Sequence, residues 1–166
     1  MTHSLNFELI LSKVSEAVRD SSEPQEALGA ICEVLAREVP HYDWVGFYLV
    51  NPQNPRELVL GPFVGEPTEH VRIPFGAGIC GQAAEQREIF VVPDVTKETN
   101  YLSCSPNVKS EIVLPIFRGE TLVAELDIDS HAVAPFTDED EDFLQKICAL
   151  AADYMDLPSI EINSVH

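Results

Sequence analysis

Two cysteines, Cys80 in GAGICGQ and Cys104 in YLSCSPN, stand outside the apolar runs that usually bury this residue type. Cys80 follows Gly76 and Gly78 and precedes Gly81, where the chain is expected to turn into a short helix. Exposed N–H groups at a helix start favour a thiolate, and glycine flanks let a second group approach the sulfur. Cys104 lies beside Ser103, Ser105 and Pro106 in a stretch with little periodicity, which reads as a loop. A loop thiol facing a helix-start thiol is a workable dithiol, able to close and open a disulfide by exchange. The same spacing also fits two unrelated loop cysteines.

Acids supply the second chemical element. Glu111 opens the β-branched run SEIVLPIF, and Asp127 and Asp129 close another in LDIDS. Alternation puts Asp127 and Asp129 on one sheet face and Ile128 on the other, with Glu111 joining them in a suitable register. Acids that converge on a pocket raise one another's pKa, so one can hold a proton at neutral pH, and together they attract an ammonium group. The competing reading leaves these strand-end acids in solvent. Cys32 in AICEVL and Cys148 in QKICALAA fall on the apolar stripes of helices and are expected to be buried and inert.

The elements that position these groups follow from periodicity. Phe7, Ile10, Leu11, Val14 and Val18 recur at helical spacing, and so do Ala27, Leu28, Ile31, Cys32, Leu35 and Ala36 behind Ser22 and Pro24. WVGFYLV, RELVLGPF, HVRIPF and EIFVVPDV read as strands, with NPQNP turning between the first two. Residues 96–110 read as a loop. SEIVLPIF and ETLVAELDID form a hairpin about an Arg118–Gly119 turn, and Thr137 caps a final helix rich in first-turn acids. The expected class is α+β, one domain over residues 1–157, with a tail at 158–166.

Composition narrows the function classes. A chain of 166 residues suits one domain, and 45% hydrophobic content supports a real core. Ten Lys and Arg against 28 Asp and Glu give a formal charge of −18, which repels phosphate backbones and anionic lipid. Nucleic-acid and membrane partners are therefore not expected. No apolar run approaches the ~20 residues that span a bilayer. The start carries Glu8 and Lys13 within its apolar spacing and reads as an amphipathic helix rather than a signal peptide, so a cytoplasmic location is expected. Four cysteines in such a chain do not form a disulfide framework. None pairs as CxxC and only His70 lies near any of them in sequence, so no metal is expected.

WVGFY (44–48), LGPFVG (60–65), VRIPFGAGICG (71–81), VPDV (92–95), SEIVLPI (110–116) and LDIDS (126–130) together resemble the free methionine-R-sulfoxide reductases, which are stand-alone GAF domains. The first three are more particular to the reductases, whereas ligand-binding GAF domains share strands like SEIVLPI. The 24-residue step from Cys80 to Cys104 also matches that family. The resemblance implies a central antiparallel sheet, with N- and C-terminal helices on one face and pocket-forming loops on the other. It implies Cys104 as catalytic thiol, Cys80 as resolving thiol, and Glu111, Asp127 and Asp129 as acids lining the substrate pocket. Trp44 and Tyr48 match aromatic positions near that pocket, although both also read as ordinary core rings. Three residues depart from the common pattern: His70 where many members carry a third cysteine, Ser105 where Asp is usual, and Glu125 in place of Gly. The implied activity is reduction of free L-methionine-(R)-S-oxide without a bound cofactor, recycled by an external dithiol such as thioredoxin, in a homodimer. The alternative is a non-catalytic GAF module that binds a small ligand or senses oxidants through the thiol pair.

Overall fold

Apolar residues on one stripe build the two opening helices, α1 (Phe7–Arg19) and α2 (Pro24–Glu38). The computed structural model describes residues 5–102 and 105–155; Cys104 and the tail at 158–166 lie outside them. Asn6 caps α1 by accepting from the Leu9 N–H at 3.0 Å. Pro24 takes the first helical position of α2, but Glu23 is its capping residue, and the Ser22 hydroxyl instead donates to Glu26 at 2.9 Å.

Six strands follow, with a helix among them: β1 (Trp44–Asn51), β2 (Asn54–Val64), β3 (Arg72–Pro74), α3 (Gly78–Gln86), β4 (Phe90–Val92), β5 (Ser110–Arg118) and β6 (Thr121–Ser130). They form one sheet in the order β3-β2-β1-β6-β5-β4, antiparallel at every pairing. Helix α4 (Asp138–Ala152) closes the described chain. The class is α+β, as expected. Among the described residues, a 3₁₀ turn, Val95–Lys97, overlaps the start of the stretch 96–110 expected to be loop, where the Asp94 carboxylate accepts from the Thr96 N–H at 3.0 Å.

Helices α1, α2 and α4 cover one face of the sheet, where Ile31, Leu35, Phe47, Leu126, Ile128 and Leu144 form the main core. The far face is not roofed by loops alone. Strands β3 and β4 sit at opposite edges, so the chain between them crosses that face, and α3 lies over β3, β5 and β6. A second, smaller core including Tyr48, Leu58, Ile79, Cys80, Ala83 and Val113 fills the space beneath it. Among the described residues no helix is long and apolar enough to cross a membrane.

The start of α4 is tied down by one carboxylate. Thr137 and Asp140 form a reciprocal capping box: the Thr137 N–H and hydroxyl donate to Asp140 at 2.9 and 2.8 Å, and the Asp140 N–H donates back at 3.2 Å. The Tyr42 hydroxyl donates to the same carboxylate at 2.7 Å and His41 Nε2 meets it at 2.9 Å. Burial pushes the Asp140 pKa up, but the bonds from His41, Thr137 and Tyr42 outweigh it and hold the group at about 2. A depressed folded pKa gives stability that is present above the ordinary carboxylate value and lost as pH falls toward 2. The shift corresponds to about 2 kcal/mol. Thermal melts of Asp140→Asn should therefore lie below the wild type at neutral pH, with the gap closing as pH falls from 5 toward 2. An equal gap at every pH would refute the assignment.

Candidate active site

Period-two alternation divides the central strands between the two cores. Val45, Phe47, Ile112, Leu114, Leu126 and Ile128 point into the main core, each at most 1% exposed. The intervening residues face α3. There Trp44, Gly46 and Tyr48 on β1 pair with Asp129, Asp127 and Glu125 on β6, and Glu111 on β5 pairs with Asp129. Asp127 and Asp129 share a face with Ile128 opposite, as alternation predicts, and the register brings Glu111 to them. None of these acids faces solvent: Glu111 is 6%, Asp127 3%, Asp129 2% and Glu125 0% exposed.

Cys80 reaches the same place from above, as the third residue of α3. Its helix packs tightly on the turn before it. The Gly76 N–H donates to the Gly81 carbonyl at 2.8 Å, and a Cβ on Gly81 would lie 2.6 Å from the Pro74 oxygen, so only glycine closes this turn. Cys80 is a buried free thiol whose sulfur lies within 4.8 Å of carboxylate oxygens of Glu111 and Asp127. These three groups border a cavity of ≈ 10 Å³, together with Tyr48, His70 and Leu102. That volume holds about one water molecule. A larger cavity of ≈ 370 Å³ lies between the start of α2 and Tyr154, but its lining carries no thiol and a single acid, Glu23.

The two aromatic candidates take different positions. Tyr48 is 1% exposed, borders the cavity and donates its hydroxyl to the His70 carbonyl at 2.8 Å. Trp44 packs behind it, stacked on Phe63 with centroids 5.4 Å apart and 6.4 Å from the Tyr48 ring. Its indole N–H donates to the Glu66 carbonyl at 2.9 Å. Gly46 makes room for this ring, since a Cβ there would meet it at 2.5 Å.

Electrostatics overturn one expectation. A helix-start position was expected to favour the Cys80 thiolate, yet burial first, then the charges of Asp127, Glu125 and Glu111, push its pKa well above the ordinary thiol value. Loss of solvent outweighs the partial charge of the first turn of a nine-residue helix. Burial likewise raises Glu125, Asp127 and Asp129; the Asp127 charge adds to the rise at Glu125 and Asp129, and contacts with Glu111 and Cys80 offset part of it at Asp127. Cys32 and Cys148 are buried with pKa values raised by desolvation, so both are the inert core thiols expected.

Glu125 is the member that sequence reasoning passed over as a departure from family pattern. Its signal was present, because in ELDID it has the same parity as Asp127 and Asp129. Both of its side-chain oxygens are buried with no hydrogen-bond partner; the Cys80 thiol is near enough to lower its pKa slightly but not to complete a bond. A raised folded pKa gives stability that is complete below the unfolded value, near 4.5, and is lost as pH rises above it. Glu125→Gln should therefore melt higher than the wild type at pH 8 and lose that advantage at pH 4. A variant less stable than wild type at both values would contradict the burial argument.

The six-stranded antiparallel sheet with helices packed on it has the architecture of a GAF domain, and residues 23–154 match the GAF domain family. The chain is 43% identical over 114 residues to GAF domain-containing protein A of Dictyostelium discoideum, spanning 69% of this chain and 70% of that protein. It is 38% identical over 116 residues to the free methionine-R-sulfoxide reductase of Escherichia coli (strain K12), spanning 70% and 68%. The structure of free methionine-R-sulfoxide reductase from Neisseria meningitidis in complex with its substrate superposes with a TM-score of 0.83 at 32% identity, covering 92% of this chain and 95% of that one. The chain belongs to the free methionine-R-sulfoxide reductase family of GAF domains.

Proposed function

We propose that the chain reduces free L-methionine-(R)-S-oxide to L-methionine in the cytoplasm, as a homodimer, with no bound cofactor. The observation that carries this reading is the convergence of Cys80, Glu111 and Asp127 on one buried cavity, in a chain of this family. Among the described residues no Lys or Arg borders that cavity, so its acids suit a ligand that brings its own positive charge. A free amino acid has such an ammonium group, and a methionine within a peptide has lost it. At ≈ 10 Å³ the cavity is too small for a sulfoxide, so admitting one requires its lining to move outward.

In the proposed cycle the Cys104 thiolate attacks the sulfoxide sulfur. One of Glu111, Asp127 and Asp129 gives a proton to the departing oxygen, which a sulfoxide needs before it becomes a good electrophile. The protonated oxygen then passes from the substrate sulfur to the Cys104 sulfur as the bond between the two sulfurs breaks, so methionine leaves and Cys104 becomes a sulfenic acid. The Cys80 thiol then attacks that sulfur, its own proton and the hydroxyl leave as water, and a disulfide forms. An external dithiol such as thioredoxin reduces the disulfide and is itself oxidised. The raised pKa of Cys80 fits a resolving thiol rather than an attacking one, because its thiolate is scarce before the first step. The remaining acids, with Tyr48 and Trp44, hold the substrate.

An NADPH-linked thioredoxin assay with free methionine-(R)-S-oxide tests the proposal. Cys104→Ser should lose all activity, and Cys80→Ser should complete one stoichiometric turnover without cycling. Full activity in Cys104→Ser rejects the mechanism, and an inactive wild type points instead to a ligand-binding or oxidant-sensing module.

A further inference from the structure

The acid–thiol cluster has the composition of a cation site as well as of a reductase pocket. Its three groups come from α3, β5 and β6, so no local sequence spacing announces it. The sulfur of Cys80 and one oxygen each from Glu111 and Asp127 all lie within 4.8 Å of one another. Ligands around one tetrahedral zinc stand roughly 3.3–3.7 Å apart, given bond lengths of ~2.0–2.3 Å, so modest side-chain rotation brings all three into range. The cavity between them has about the volume of one ion or water. A second observation points to a missing positive partner: Asp127 borders the cavity at 3% exposure with its Oδ1 unpartnered, and Asp129 Oδ1 and both Glu125 oxygens nearby are also unpartnered.

We propose that Cys80, Glu111 and Asp127 bind one thiophilic divalent cation of the Zn²⁺ class. A thiolate with two carboxylates selects zinc, cobalt or cadmium over magnesium or calcium, which prefer all-oxygen sites. Three protein ligands leave the fourth position open to water. Binding forms a metal–sulfur bond and releases the Cys80 proton to solvent, with no change of oxidation state, so affinity falls as pH falls. Occupancy would hold Cys80 as a metal thiolate and stop recycling; this consequence rests on the reductase reading, whereas the site itself does not.

Titrating the reduced full-length protein with Co²⁺ tests the site without any activity measurement. One equivalent should produce a near-ultraviolet sulfur-to-cobalt charge-transfer band that Zn²⁺ then displaces. The band should persist in Cys104→Ser, vanish in Cys80→Ser, and require at least tenfold more metal in Asp127→Asn. Iodoacetamide labelling of the wild type, mapped by mass spectrometry, gives a reading free of any folding defect in the variants: one equivalent of Zn²⁺ should slow alkylation of Cys80 at least tenfold. No band in the wild type, a band that survives Cys80→Ser, or unchanged labelling overturns the proposal and leaves the reductase assay untouched.

Discussion

Glu111, Glu125, Asp127 and Asp129 occupy one face of two paired strands, buried under a helix that brings a thiol rather than a positive charge. An ionised carboxylate taken out of water without a partner costs several kcal/mol, and the raised pKa values of Glu125, Asp127 and Asp129 express that cost. The arrangement survives because the opposite face of the same strands is so well packed. Ile112, Leu114, Leu126 and Ile128 fix the β5–β6 register by filling the main core. A slip of β6 by one residue would push Glu125, Asp127 and Asp129 into that core and leave Leu126 and Ile128 beneath α3. Packing on one side of the sheet thus holds an unfavourable charge pattern on the other.

Topology supplies the roof. With β3 and β4 at opposite edges, the connecting chain has to cross the sheet, and α3 is the part of the crossing that lies over β5 and β6. Nine residues of helix are about 13 Å long, less than the width of six strands, so the turns on either side share the crossing. Gly78 and Gly81 let Leu102 and the Pro74–Gly76 turn pack closely on this helix, and its small Ala83 and Ala84 are buried in the second core. Closeness is what lowers Cys80 among the carboxylates.

Most of this was legible in the sequence, for physical reasons that also explain the exceptions. Helix faces repeat strongly, so α1, α2 and α4 emerge from apolar spacing, and the parity of Asp127, Ile128 and Asp129 follows from alternation alone. Pairing Glu111 with Asp129 required the hairpin turn to fix a register, which Arg118 and Gly119 only suggest. Burial was the hidden quantity. Asp127 in a strand end reads the same whether α3 covers it or not, and a helix-start cysteine reads as a thiolate until the depth of its site is known. Glu125 was hidden by its neighbours: comparison with the family pattern marked it as an irregularity, while its parity already placed it with the other acids.

The cluster's charge also makes the site responsive. The pKa values of Glu125, Asp127, Asp129 and Cys80 are raised by desolvation and, at Glu125, Asp129 and Cys80, also by the charge of neighbouring acids. The proposed cation would oppose that repulsion where it acts, since an opposite charge within a few ångströms favours each ionised form. Without a cation, the raised pKa values of Cys80, Glu125, Asp127 and Asp129 favour their neutral forms. With the proposed cation bound, the carboxyls would part with protons more readily, and Cys80 would be held as a metal thiolate that is masked as a nucleophile. Such coupling needs no movement of the sheet, because the groups already share one face and one cavity. The surface charge of the chain works in the same direction: an overall balance of −18 draws cations toward the protein and disfavours anions in a site whose border, among the described residues, holds no Lys or Arg. The instability stored in the unpartnered carboxylates is therefore the same quantity that gives the cavity its preference for positive ligands.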